Sequence, residues 1–186
     1  MIVLLLIAGF LAGAVPFGVI VAKQRGVDIR AKGSGNIGAT NVARVLGVAD
    51  GVLVLFLDAG KGALITLVAT RIDGDPWVIA GTGFMAILGH CFSPFLGGKG
   101  GKGVATALGV FVVAAPALAL VAVAVFLVVA GRTRVPALGS LSGVSAAALY
   151  AFITSAPASV ELLAFATSAL LVYTHRTNLA KLYQAD

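Results

Sequence analysis

The sequence predicts an all-α bundle integral to a membrane, and three observations carry the prediction. Hydrophobic residues make up 60% of the 186 and charged residues 11%, against about 45–50% and about 25% in soluble domains. Mean hydropathy is +1.07, more apolar surface than so short a chain can hide in its own core. The apolar residues also fall in runs of about 20, the length that crosses a bilayer. A soluble globular enzyme, a disordered chain and a disulfide scaffold are excluded. The single cysteine, Cys91, cannot form an internal bridge.

The spans follow in order. Ile2–Ala22 carries no charge before Lys23, so it lacks the basic start of a cleaved leader. Gly51–Thr70 is apolar apart from Asp58 and Lys61. Trp77–Leu96 opens on an interfacial tryptophan and holds His90 late in the run. Pro136–Thr154 and Pro157–Thr174 each begin with a proline, which suits a first helical turn. Val104–Ala130 is 27 residues without a charge, about 40 Å as one helix, with Pro116 near its middle. One tilted crossing there gives six spans in all; two short helices give seven.

Charge favours seven. Lys23, Arg25, Arg30, Lys32, Arg44, Lys99, Lys102, Arg132, Arg134, Arg176 and Lys181 are eleven of the 13 basic residues. With seven segments and the N-terminus outside, all eleven lie on the cytoplasmic side, as the positive-inside rule requires. Arg71 falls opposite, beside Asp73 and Asp75, and Lys61 lies within a span. Six crossings would move Arg132, Arg134, Arg176 and Lys181 outside. The expectation is one transmembrane domain over residues 1–186, N-terminus outside and C-terminus cytoplasmic. Its cost is two helices of roughly 13 residues around Pro116, which need local thinning or shelter by neighbours.

Three polar segments stand out. In Gly33–Gly47 (GSGNIGATNVARVLG), glycines alternate with Ser34, Asn36, Thr40 and Asn41, and Arg44 follows. Glycine lets successive backbone N–H groups converge on an anion, and a helix starting near Thr40 would add its positive end. The plainer reading is a connecting loop with a helix cap. Gly97–Thr106 (GGKGGKGVAT) places Lys99 and Lys102 among glycines before a helix. It is not a Walker A loop, because Leu96 and Gly103 stand where that motif needs Gly and Ser or Thr. Its plainer reading is a basic topology loop. His175–Leu182 (HRTNLAKL) puts His175 and Asn178 on one face if helical; Arg176 and Lys181 can serve as anchors alone. His90 reads as a buried polar residue bonded to a backbone carbonyl. Asp58 and Lys61 read either as a mutually neutralising pair or as a prop for the cradle, and Glu161 as interfacial. No metal-ligand spacing occurs, so neither a metal nor a cofactor is expected, and no nucleic-acid partner.

With seven segments the three motifs emerge on one side. Topology loops need Lys and Arg but not this Gly, Ser, Thr and Asn content. A single cytoplasmic polar site backed by lipid suits a reaction between a phosphorylated solute and an acyl chain. A transporter or channel for small phosphorylated solutes is the alternative; it should carry its polar residues deep in broken helices.

At these residues the sequence resembles the bacterial acyl-phosphate:glycerol-3-phosphate acyltransferases. The likeness runs through Val15–Lys23, Val27–Gly47, Leu57–Leu64, Leu88–Phe92, Lys99–Gly109 and His175–Leu179. It implies a seven-helix protein of the plasma (inner) membrane, active at the cytoplasmic surface. The implied reaction moves a fatty acyl group from an acyl phosphate to the 1-hydroxyl of glycerol 3-phosphate, giving lysophosphatidate and inorganic phosphate. Membrane lipid is an implied partner, and the acyl-phosphate-making enzyme a further candidate. Carried over by position, Ser34, Arg44, Lys102, His175 and Asn178 are the expected catalytic residues. Ser140 is expected with them on glycerol 3-phosphate, while Gly33, Gly35, Asn36, Thr40, Asn41, Lys99, Gly100, Gly101 and Gly103 form the acyl-phosphate cradle. The base is either His175 or the donor's own phosphate oxygen. The chain departs from the family's usual residues at Ile37 (proline), Gly98 (phenylalanine), Ser93 (proline), Val135-Pro136-Ala137 and the Gln184-Ala185-Asp186 end.

Overall fold

Proline sets the helix starts. All six prolines stand at, or immediately before, the first residue of a helical element, where a missing N–H breaks no bond and φ is already helical. In the computed structural model, which describes residues 1–183 and side chains as far as Ala180, ten α-helices follow one another. They are α1 (Ile2–Ala14), α2 (Phe17–Gln24), α3 (Ala39–Leu46), α4 (Val48–Ile72), α5 (Pro76–Cys91), α6 (Val104–Ala114), α7 (Pro116–Thr133), α8 (Pro136–Ile153), α9 (Ala158–Thr174) and α10 (Arg176–Tyr183). Single 3₁₀ turns occupy Ile29–Ala31 and Pro94–Leu96. The Lys181 side chain and the Gln184-Ala185-Asp186 end lie outside the described residues.

Among the described residues, five stretches are long and apolar enough to cross a membrane: Ile2–Gln24, Val48–Ile72, Pro76–Leu96, Pro116–Thr133 and Pro136–Ile153. Helices α6 and α9 are apolar but shorter. Two expectations need correction. The first span is not one helix, because Pro16 cannot donate into it and the chain breaks at Val15-Pro16. The freed carbonyls find side chains from elsewhere: Ser93 Oγ donates to Ala14 O at 2.7 Å and Lys61 Nζ to Val15 O at 2.7 Å. The run Val104–Ala130 does divide at Pro116, but unequally. Helix α7 has 18 residues because it continues past Ala130, while α6 has 11. At 1.5 Å per residue these are about 27 Å and about 16 Å, so only α6 is short for a bilayer.

Small residues let the helices touch backbone to backbone. A Cβ on Gly13 (α1) would lie 1.9 Å from Ala86 O (α5), and one on Gly109 (α6) 1.8 Å from Ala59 O (α4). One on Gly143 (α8) would lie 2.5 Å from Ala122 O (α7). In lipid, where water does not drive helices together, dispersion at such close approach supplies much of the attraction. The interior of α5–α9 is filled by Ile87, Val110, Phe111, Leu118 and Leu171. A second cluster, Val21, Ile29, Ile37, Val42 and Val54, fastens the polar segment onto α2–α4. Large apolar side chains on the outside, such as Phe56 at 70% and Leu120 at 73% exposure, are the surface that meets acyl chains.

Candidate active site

The Gly33–Gly47 segment is built around one side chain. Asn41 is buried at the start of α3. Its Oδ1 accepts from Ser34 N–H at 2.8 Å, and its Nδ2 donates to Lys32 O at 3.0 Å and Asn36 O at 2.9 Å. Asn36 Oδ1 accepts from Gly38 N–H at 2.8 Å, and Gly35 N–H reaches Lys32 O at 3.0 Å. Gly33 and Gly35 take φ of 59° and 72°, the left-handed region that glycine enters without penalty. The segment is thus a fixed loop, and three of its backbone donors are consumed in fixing it.

The second polar segment is stapled at both ends. Gly100 N–H donates to Cys91 O and Gly101 N–H to His90 O, each at 3.0 Å, which satisfies carbonyls that the end of α5 would leave unpaired. Thr174 Oγ1 donates to Lys102 O at 3.1 Å, and Lys102 Nζ donates to Asn178 Oδ1. The loop therefore joins the end of α5 to the corner between α9 and α10.

Between these segments lies a cleft of about 300 Å³. Arg30, Ser34, Gly35, Asn36 and Ile37 line one side, and Lys99, Gly100, Lys102, Thr177 and Asn178 the other. Three of these residues are cations, and none of the described lining residues is a carboxylate. Such a cleft attracts anions and is the right chemistry for phosphate. All three motifs contribute to it.

Not every expected site residue reaches the cleft wall. Ser34, Gly35, Asn36, Lys99, Gly100, Lys102 and Asn178 line it; Gly33, Thr40, Asn41, Arg44, Gly101, Gly103, Ser140 and His175 do not. Arg44 Nη1 lies 3.4 Å from Asn41 Oδ1, with the side chain exposed. Ser140 Oγ donates to Pro136 O of its own helix at 2.9 Å. The backbone N–H groups of Ser34, Gly35, Gly38, Gly100 and Gly101 are spent inside the protein, so the expected nest of free amides is largely replaced by side-chain cations. Arg30 and Thr177 were missed. Arg30 precedes the motif but is turned into place by the 3₁₀ turn, in which its own N–H donates to Asp28 Oδ1 at 3.0 Å.

His175 is buried at the end of α9, and its Nδ1 donates to Leu171 O at 2.8 Å. Burial pushes its pKa below the ordinary histidine value, the bond to Leu171 opposes this, and nearby Lys102 adds to the lowering. The ring is therefore neutral at neutral pH, with Nε2 as its acceptor. His90 does not bond a backbone carbonyl through its ring, as the sequence suggested: Nδ1 stands 2.9 Å from Lys61 Nζ. Among the described residues no group of three or more His, Cys, Asp or Glu could hold a metal ion.

The family model described as glycerol-3-phosphate acyltransferase matches residues 3–185. The chain belongs to that family. It is 44% identical over 179 residues to the glycerol-3-phosphate acyltransferase of Aquifex aeolicus, covering 96% of this chain and 93% of the relative. It is 46% identical over 190 residues to that of Anaeromyxobacter dehalogenans, covering 98% and 94%. The crystal structure of PlsY (YgiH), an integral membrane glycerol 3-phosphate acyltransferase, in its glycerol 3-phosphate form superposes with a TM-score of 0.94 at 43% identity, over 99% of this chain and 92% of that one. The lysophosphatidic acid form gives 0.93 at 42% identity, with the same coverage. As a member of the family, the chain is an acyltransferase and a multi-pass membrane protein. Two of its departures from the usual residues now have a setting. Ser93 supplies the bond to Ala14 O, and Gly98 takes φ of 78°, a conformation that a phenylalanine there would resist.

Proposed function

We propose that this acyltransferase moves a fatty acyl group from an acyl phosphate to the 1-hydroxyl of glycerol 3-phosphate. The observation that carries the reading is the cleft itself, walled by three cations and small polar groups from all three motifs. Each substrate brings about −1.5 to −2 charges on its phosphate, and their mutual repulsion is the main obstacle to bringing them together. Lys102, Arg30 and Lys99 offset it, and Ser34, Asn36 and Asn178 orient the glycerol phosphate. The hydroxyl oxygen forms a bond to the acyl carbon, the bond from that carbon to the bridging phosphate oxygen breaks, and inorganic phosphate leaves with the electron pair.

An acyl phosphate is a mixed anhydride with a good leaving group, so no covalent enzyme intermediate is needed. The donor's phosphate oxygen takes the hydroxyl proton. The burial of His175, which is not among the residues lining the cleft, favours this over a histidine base and leaves His175 a supporting role beside Lys102. Arg44 and Asn41 act by shaping the first loop.

The same reading gives a single domain with seven crossings, N-terminus outside, and the cleft on the cytoplasmic side of the inner membrane. Arg25, Arg30, Lys32, Arg44, Lys99 and Arg176 are all exposed and belong to the segments that meet at the cleft, which supports this orientation. The acyl-phosphate-making enzyme is the partner that would deliver the donor.

The experiment is direct. Purified protein with acyl phosphate and glycerol 3-phosphate should release inorganic phosphate and form lysophosphatidate in equal amounts, with no release when glycerol 3-phosphate is omitted. Phosphate release that does not depend on glycerol 3-phosphate would refute the reading. Labelling a cysteine at position 134 only from the cytoplasmic side would support the orientation, and labelling from outside would reject it.

A further inference from the structure

Beneath the cleft the bundle buries three polar side chains that the reaction does not use. Asp58 and Lys61 are one turn apart on α4, and His90 is in the last turn of α5; they are 1%, 8% and 4% exposed. Lys61 Nζ has three N–H donors and three acceptors within reach: Asp58 Oδ1 at 2.7 Å, Val15 O at 2.7 Å and His90 Nδ1 at 2.9 Å. The count closes. His90 Nδ1 faces both members of the pair, Lys61 Nζ at 2.9 Å and Asp58 Oδ1 at 3.5 Å, so the imidazole is held edge-on against them.

The far edge of the ring faces the second loop. A Cβ on Gly101 would lie 2.1 Å from His90 Nε2, and one on Gly100 would lie 2.0 Å from His90 O. The loop rests on the imidazole and its carbonyl with no space between. The next residue is Lys102. A buried ion pair is weak evidence of stabilisation, since desolvation offsets most of its attraction. The contacts point instead to placement.

We infer that Asp58, Lys61 and His90 are positioning residues for Lys102. The ion pair fixes the orientation of the imidazole, and the imidazole is the shelf that sets how deep Gly100 and Gly101 lie, and so where Lys102 stands in the cleft. Through Val15 O the same ammonium locks the break between α1 and α2 to this shelf. The inference rests on the proposed reaction, and the test keeps the two apart: if the unsubstituted enzyme fails to acylate glycerol 3-phosphate, the reaction is wrong, whereas the positioning role is judged only among variants of an active enzyme.

The variants are His90→Gln, Lys61→Met, Gly101→Ala, His90→Ala and the double variant His90→Ala with Gly101→Ala, each purified and checked for a monodisperse elution peak. A misplaced cation costs about 10- to 100-fold. The expected result is that rise in KM for glycerol 3-phosphate, with kcat at saturation held within about threefold. The double variant should be no worse than the worse of its two single variants, because both act on one contact. Reduced yield or thermal stability with an unchanged KM in the folded protein would make the network purely structural and overturn the inference, as would additive losses in the double variant. Gly101→Ala perturbs the shelf from the loop side alone, so an unchanged KM in that variant overturns it even if the buried substitutions prevent folding.

Discussion

Replacing Lys102 with methionine removes the cation that the cleft holds most firmly. The side chain is half-buried, donates to Asn178, and its carbonyl is anchored by Thr174. Lys99 is on the same wall but exposed. At about 4 Å and an effective dielectric of about 20, a unit charge interacts with another by about 4 kcal/mol. Removing that attraction where two phosphates must meet corresponds to about three powers of ten in kcat/KM, at about 1.4 kcal/mol per decade. Lys99→Met, in a position that water and salt screen, should cost less than about tenfold. The assay is phosphate release from acyl phosphate over a range of glycerol 3-phosphate concentrations. Raised ionic strength should shrink the Lys99 effect while leaving the Lys102 effect largely intact. If Lys102→Met retained activity within about tenfold of the parent, or if the two substitutions cost the same, charge balance by a fixed, half-buried cation would not be how the cleft works.

Three further outcomes follow from the same geometry. Arg30→Ala, at a cleft residue outside the motif glycines, should raise KM for at least one of the two phosphates by about 10-fold, whereas Ser140→Ala should change neither KM by more than about threefold, since its hydroxyl is bonded to Pro136 O; kinetics with each substrate varied in turn would show it. The pKa of His175 is lowered in the folded protein by burial first, with Lys102 adding to it against the bond to Leu171, so the unfolded chain binds more protons below the ordinary value of about 6.5. Stability is therefore full above that pH and falls as the pH drops towards the folded value, and His175→Gln should flatten the acid side of a plot of melting temperature against pH. Gly109→Val must push α6 away from Ala59 O and should cost about 1–3 kcal/mol or more, while Gly60→Ala, mid-helix with nothing within 4 Å of the added atom, should hold or raise the melting temperature.

What the sequence could show divides along a physical line. Composition, span lengths and the charge sorting depend on bulk properties of residues, and those gave the all-helical membrane class and the break at Pro116. The three motifs were legible because each gathers Lys or Arg with Ser, Thr or Asn into a short segment between apolar spans, and such polar residues are expensive where lipid is the solvent. What was not legible depends on who meets whom in space. The break at Val15-Pro16 looks like a routine proline until Lys61 of α4 and Ser93, in the turn after α5, are seen to donate to the carbonyls it frees. The glycine amides looked available because nothing in the spacing says that Asn41, or the end of α5, claims them first. Arg30 was passed over because its neighbours carry no motif, although Asp28 two residues earlier was a visible capping signal.

These misses share a cause, and it bears on how a membrane enzyme can be built. A polar loop above a lipid-facing bundle must satisfy its backbone without help from bulk water on its inner side. The first loop does so through the side chain of Asn41, and the second through the terminal carbonyls of α5. Once the amides are committed inwards, the anion-binding field has to come from side chains that stand on those loops: Arg30, Lys99 and Lys102. A cation on a rigid loop can only be as well placed as the floor beneath it. That floor is formed where His90 meets Gly101, and His90 is oriented by the buried Lys61 ammonium and its Asp58 partner. The rigidity needed for backbone satisfaction and the rigidity needed to hold two phosphates together are therefore the same rigidity. It follows that substitutions loosening the floor should weaken substrate capture before they unfold the bundle.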